Sequence, residues 1–139
     1  MHGIKQLLMV TLIIFSGQSI GAEKYLPNSG DQQLDASLLS INKTVKNKNN
    51  FSQLAAEEFQ VPLEKVLELF KMYEFTAADV LMTLSIADVS GLPVNTVSRT
   101  YFENKQQGWV VALDLLDINH RSASFQQIKS DAKMEFIEQ

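Results

Sequence analysis

The sequence predicts an all-α protein, a small orthogonal helical bundle built from two helix-turn-helix-like repeats. From position 31 onward, apolar residues recur at intervals of three and four, which is the period of amphipathic helices. No segment alternates apolar and polar residues for long enough to predict a strand. A pattern of helix, proline turn and helix occurs twice, and this doubling predicts the repeat.

The first 22 residues have the three zones of a secretory signal peptide: Lys5, an apolar run from Leu7 to Phe15, and small residues ending at Ala22. The run is about half of the roughly 20 residues that a membrane-spanning helix needs, which favours cleavage after Ala22 over a retained anchor. The absence of cysteine excludes a lipid-attachment cysteine and disulfides. We therefore expect a mature chain from Glu23, periplasmic or secreted.

Charge and composition limit the partners of the mature chain. The net charge is −4, and loss of Lys5 with the signal makes it more negative, which argues against a nucleic-acid or anionic-membrane surface. The one basic cluster, Lys43, Lys46 and Lys48, lies in an Asn-rich stretch that we interpret as a solvated linker. We predict a leader and linker with one short helix over 23–50, a helical repeat domain over 51–129 and a polar tail over 130–139.

Caps and breakers predict the helices in the first half of the chain. Pro27 and Gly30 indicate an irregular leader, after which Asp31 caps a helix to Thr44. A second helix begins at Phe51, and Pro62 separates it from a third. The predicted inward residues are Leu34, Leu38 and Ile41, then Phe51, Leu54 and Ala55, then Leu63, Val66, Leu67, Phe70 and Tyr73.

The second half of the chain contains a clear signal for the start of a helix. Thr76 and Asp79 predict a capping box, and Gly91 is a natural helix end. Pro93 then opens a further helix, and Ser124 is the expected cap of the last one. The predicted inward residues are Leu81, Leu84 and Ala87, then Val94, Val97 and Tyr101, then Trp109, Ala112, Leu113 and Leu116, and finally Phe125 and Ile128.

The repeat aligns residues that lie 31 positions apart. Pro62 corresponds to Pro93, Val66 to Val97 and Phe70 to Tyr101. Two such units make a compact bundle, because a single helical hairpin cannot bury its own apolar face.

Residues 86–99 resemble the DNA-reading element of lactose-repressor-type regulators, with Ala87, Gly91 and Val97 at the spacing of that motif. The resemblance implies a helix-turn-helix in which Asn95, Thr96, Ser98 and Arg99 would contact DNA. Arg99 is the only basic residue from Phe75 to Asn104, so phosphate contacts would be few. A DNA-binding regulator that is not exported is therefore the first alternative function.

A second resemblance covers residues 75–129. This part is similar to a group of small, uncharacterised exported bacterial proteins that carry Ser-Gly, Gly-Trp-Gly, Leu-Gly-Ile and Ser-Phe in this order. The corresponding residues here are Ser90-Gly91, Gly108-Trp109-Val110, Leu116-Asp117-Ile118 and Ser124-Phe125, so Val110 and Asp117 replace glycines. The resemblance implies an exported helical domain and brings no catalytic residues.

Little catalytic chemistry is available to the mature chain. It has no cysteine and, once His2 leaves with the signal, a single histidine, His120. Asp117 and His120 are two ligands, too few for a closed metal site, and we expect His120 to lie past its helix and favour the negative end. We predict no catalytic residue, metal or cofactor. A carboxylate-dependent enzyme using Asp114 and Asp117 is the second alternative.

Aromatic residues supply the interaction candidates Tyr101, Phe102 and Trp109. Because Tyr101 and Phe102 are consecutive, they point about 100° apart on a helix, which makes Phe102 the candidate for an exposed contact. We therefore predict a non-catalytic protein-interaction module whose partner is an unknown protein or a second copy, without nucleic acid and without a membrane anchor after cleavage.

Overall fold

The computed structural model describes residues 24–135, which form seven α-helices and one short 3-10 helix. The α-helices are α1 Gln32–Thr44, α2 Lys48–Phe59, α3 Leu63–Tyr73, α4 Ala77–Ser90, α5 Val94–Glu103, α6 Trp109–Leu115 and α7 Ala123–Asp131, and the 3-10 helix is Lys105–Gln107. The predicted signal peptide and residues 136–139 of the predicted tail lie outside the described residues. None of the described helices is long and apolar enough to span a membrane.

The prediction of an all-α bundle is confirmed, and α4 lies at its centre. Every residue from Ala77 to Ile86 is buried, and the helix packs against α1, α2, α3, α5 and α7. The sequence predicts a single inward face for α4, but neighbouring helices cover all of its sides. A helix that is apolar on every side is stable only inside a core, so the other helices are arranged around this one.

The first helix belongs to the same core. Leu34, Leu38 and Ile41 are buried as predicted, and they join a single hydrophobic cluster with residues of every later α-helix. Helix α1, which the sequence assigns to the leader and linker over 23–50, is therefore part of the core of the helical domain. The linker is also shorter than predicted, because Asn47 caps α2 by accepting hydrogen bonds from the backbone N–H groups of Asn49 and Asn50.

Helix caps fix the two turns that precede the proline-led helices. Gln60 and Gly91 both have left-handed backbone conformations, with φ of 54° and 74°, and each is followed two residues later by a proline at the next N-cap. Pro62 and Pro93 have nearly the same backbone angles, φ −61° and −60°. The two turns, 31 positions apart, thus follow a similar backbone path. The predicted capping box of Thr76 and Asp79 is present at the start of α4.

The last helix begins and ends differently from the prediction. Ser122, not Ser124, is the N-cap, because its hydroxyl accepts the Phe125 N–H at 3.1 Å while donating to the Asn119 carbonyl at 2.6 Å. At the other end, the buried Asp131 accepts hydrogen bonds from Ser85 at 2.6 Å and Gln127 at 2.9 Å. These bonds attach residues beyond the predicted boundary at 129 to the central helix.

We predict that Leu38→Ala lowers the free energy of unfolding by about 2–5 kcal/mol, because it leaves a cavity beside α4. Leu39→Ala is the matched control, since Leu39 is 45% exposed on the same helix, and it should change the value by less than about 0.5 kcal/mol. Urea denaturation followed by circular dichroism measures both. Equal effects of the two substitutions would show that α1 is not part of the core.

Candidate functional site

The carboxylate of Asp79 is fully buried at the first turn of α4, where it joins three distant parts of the chain. Its Oδ1 accepts hydrogen bonds from the Tyr25 hydroxyl at 2.7 Å and from the Trp109 indole Nε1 at 3.1 Å. Its Oδ2 accepts the backbone N–H of Thr76 at 3.4 Å. These donors are neutral groups, and the positive end of the α4 dipole adds stabilisation of the buried charge.

Two tyrosines adjoin this carboxylate. Tyr101 is buried and stacks on the Trp109 indole with ring centroids 3.7 Å apart and an angle of 2°. Burial raises the pKa of both Tyr25 and Tyr101, and the nearby Asp79 carboxylate raises each pKa further. Both phenols therefore remain protonated well beyond neutral pH and can act as hydrogen-bond donors to the carboxylate.

Backbone carbonyls of the leader, residues 24–31, attach it to the start of α6. The carbonyls of Pro27 and Asn28 accept the N–H groups of Trp109 at 2.9 Å and Val110 at 2.8 Å, at the start of α6. Asn28 also donates through Nδ2 to the Gln107 carbonyl at 2.8 Å. Gly108 is needed here, because its φ is +84° and a Cβ on it would lie 2.6 Å from the Cβ of Asn28. The leader therefore follows a defined path although it has no helix.

Ser29 and His120 fix the end of the leader. The His120 ring nitrogen Nε2 donates to the Ser29 carbonyl at 2.7 Å, with the proton assigned from this contact, and the ring packs on Phe125. The Ser29 hydroxyl donates to the Asp35 carboxylate at 2.6 Å. We expected His120 to favour the negative end of its helix; instead its one described hydrogen bond attaches the leader to the segment between α6 and α7.

An open groove of about 1110 Å³ lies beside this network, between leader residues 24–26 and the segment 102–107. Two apolar side chains along it are exposed, Leu26 by 67% and Phe102 by 47%. The buried side chains of Asp79 and Tyr101 border it. Its other lining residues are Lys24, Tyr25, Thr76, Glu103, Asn104, Lys105, Gln106 and Gln107.

The three predicted interaction residues lie close together but differ in exposure. Phe102 is accessible and packs against Tyr73, with ring centroids 5.0 Å apart. Tyr101 and Trp109 are only 1% and 0% exposed, so they are corrected from contact residues to supports of the groove. The helical period had already placed both on inward faces, and that signal outweighs their aromatic character.

The four residues of the DNA-binding alternative also differ in exposure. Asn95, Thr96 and Arg99 are exposed on α5, whereas Ser98 is buried and donates to the Asn95 carbonyl at 3.2 Å. Ser98 therefore cannot contact a nucleic acid in this conformation. The Asn95 side chain accepts a hydrogen bond from Lys65 at 3.2 Å.

The carboxylates of the enzyme alternative, Asp114 and Asp117, are exposed, and neither lines the groove. Within residues 24–135, no group of three or more His, Cys, Asp or Glu side chains is placed to hold a metal ion. Sequence reasoning missed the roles of Tyr25 and Asp79. A tyrosine two positions before a proline in the leader was a weak signal, and Asp79 was interpreted as a cap alone.

Comparisons with protein-family models, with curated proteins and with solved structures found no match for this chain.

We predict that Tyr25→Phe lowers the free energy of unfolding by about 1–3 kcal/mol, because a buried carboxylate loses one hydrogen-bond donor. Tyr73→Phe removes the same atom from a partly buried tyrosine for which the structure shows ring contacts and no hydroxyl hydrogen bond, and it should be nearly neutral. Urea denaturation at neutral pH measures both variants. A neutral Tyr25→Phe would mean that the Asp79 contact does not hold the leader.

We also predict a specific alkaline destabilisation. The folded state raises the pKa of Tyr25 and Tyr101 above the ordinary 10.0, so their contribution is complete below pH 10.0 and is lost as the pH rises above it. The unfolded chain releases these protons first, and the free energy of unfolding falls. Denaturation curves from about pH 8 to 11 should show this decrease, with a shallower slope in Tyr25→Phe. Equal slopes would contradict the prediction.

Proposed function

We propose that this protein is an exported protein-interaction module: a small helical domain that works by binding protein and not by catalysis. The observation that carries the proposal is the pair of exposed apolar side chains, Leu26 and Phe102, along one groove. Single exposed apolar residues are common on protein surfaces, but two that border the same groove form a candidate contact surface.

The surroundings of the groove support this role. The Tyr25 hydroxyl donates a hydrogen bond to the buried carboxylate of Asp79, and this bond fixes the part of the leader that carries Leu26. Phe102 follows the buried, stacked Tyr101 in α5 and packs on Tyr73. The two exposed side chains are thus attached to a rigid core. A surface that is ordered before binding loses less conformational entropy on association.

If the protein is exported, the leader becomes the first segment of the mature chain. Cleavage after Ala22 would begin the mature chain at Glu23, two residues before Tyr25. The mature N-terminus would then directly precede Lys24, which lines the groove. The resemblance to small exported bacterial helical proteins and the two similar proline turns are consistent with an exported domain built from a repeated helical unit.

The DNA-binding regulator remains an alternative that needs a cytoplasmic protein. Its favourable features are the left-handed turn at Gly91 and the exposure of Asn95, Thr96 and Arg99 on α5. The inward Ser98 weakens it, because Arg99 is then left with two neutral side chains for backbone and base contacts. Fractionation of tagged protein with N-terminal sequencing distinguishes the two functions: a periplasmic form beginning at Glu23 supports export, and an uncleaved cytoplasmic form contradicts it.

We predict that Phe102→Ser abolishes capture of a specific partner from the exported fraction, because it removes the apolar contact from the groove. Leu115→Ser is the matched control: Leu115 is 60% exposed but does not line the groove, so this variant should capture the partner as the unaltered protein does. Crosslinking followed by pull-down and mass spectrometry measures capture, including capture of a second copy. Equal capture by both variants would contradict a contact role for the groove.

A further inference from the structure

The groove beside the leader differs in charge from the rest of the protein. The whole chain has a net charge of −4, yet the groove is lined by Lys24 and Lys105 against two carboxylates, Glu103 and the buried Asp79. Neither lysine takes part in the ion pairs Lys65–Glu68 and Lys129–Asp31. Leu26 and Phe102 are exposed along the same groove, so it offers both cationic and apolar groups to a segment that is acidic and apolar.

One segment of this same chain has that composition. Residues 135–139 read Glu-Phe-Ile-Glu-Gln, so an apolar pair is flanked by two acidic residues and no basic residue is present. An extended segment of five residues spans at most about 18 Å, enough to present both apolar residues and both carboxylates to one groove.

The surface where this segment leaves the domain is not complementary to it. Glu135 lies at a second, smaller groove of about 430 Å³ together with Leu54, Glu57, Glu58 and Met134. Three carboxylates lie at this exit, so a further acidic residue docking there would meet like charge. The two grooves share no lining residue. Electrostatics therefore favour the lysine-bearing groove over the exit groove as the binding surface for the segment.

We propose that the groove formed by the leader and residues 102–107 binds residues 135–139 of a second copy of this chain. The apolar pair would pack on Leu26 and Phe102, and the two glutamates would approach Lys24 and Lys105. Side-chain amides of Asn104, Gln106 and Gln107 supply donors and acceptors for an extended backbone. This inference rests on the proposed contact function of the groove and names its partner.

The geometry of such a contact determines the kind of assembly. A segment at one end of the domain binds a different surface on the next copy, so the interface is heterologous. Copies can then add head to tail beyond a dimer, and the association grows with protein concentration. Because the contact joins exposed charges, raising the salt concentration weakens it.

Charge reversal on the mature full chain tests this proposal by sedimentation velocity over a range of concentrations. Lys24→Glu/Lys105→Glu alters the groove and Glu135→Lys/Glu138→Lys alters the segment, and each double variant alone should associate at least about tenfold more weakly than the unaltered protein. A mixture of the two should associate again, because each groove then meets a segment of opposite charge. Lys43→Glu/Lys71→Glu makes the same charge change at exposed residues outside the groove and should associate as the unaltered protein does.

A fluorescent peptide of residues 134–139 provides an independent measurement. It should bind the unaltered protein and bind Phe102→Ser at least about tenfold more weakly, as measured by anisotropy. A protein that stays monomeric at every concentration, or association that ignores the charge reversals, overturns the proposal. If the monomer still captures another protein in a Phe102-dependent way, the second-copy inference fails while the contact function stands. If both tests fail, both proposals fall.

Discussion

The buried carboxylate of Asp79 receives hydrogen bonds from two parts of the molecule that lie far from it in sequence. Tyr25 lies 54 positions before it and Trp109 lies 30 positions after it, and both donate to the same oxygen. A buried carboxylate without donors is costly, so the leader and the start of α6 are required where they are. Further hydrogen bonds, from Trp109, Val110 and His120, hold the leader along the start of α6 and the segment that follows it.

This arrangement explains why the groove is placed at one end of the bundle. The central helix α4 begins there with its capping box, and the same Asp79 that closes the cap also receives the leader. Tyr101 and Trp109 stack beside it and form a rigid aromatic support. The exposed Leu26 and Phe102 are neighbours in sequence of the partly buried Tyr25 and the buried Tyr101, and their positions are fixed through those neighbours. A polar network in the core thus fixes the positions of the two exposed apolar side chains along the groove.

The structure also shows where local patterns predict well and where they do not. Asp31, Thr76 and Gly91 were assigned correctly because capping depends on residues within one turn. The sequence predicts Ser124 as the last cap, but Ser122 takes this position, because its hydroxyl is also held by the Asn119 carbonyl. The start of α2 at Lys48 was missed because an Asn-rich, charged stretch has weak helical propensity, and its Asn47 cap was overlooked.

The sequence by itself determined the all-α class, most helix positions and most of the inward residues, because these depend on period and on caps, which are local. Leu54 and Leu69 are exceptions, since the sequence predicts Leu54 and not Leu69 as inward, whereas Leu54 is exposed and Leu69 is buried. The sequence also indicated Phe102 as the exposed member of a consecutive aromatic pair. Only the tertiary structure decided that Tyr25 and Trp109 donate hydrogen bonds to the buried Asp79 and that His120 holds the end of the leader. Those outcomes depend on hydrogen bonds and packing between residues 30 to 91 positions apart, which no local pattern encodes.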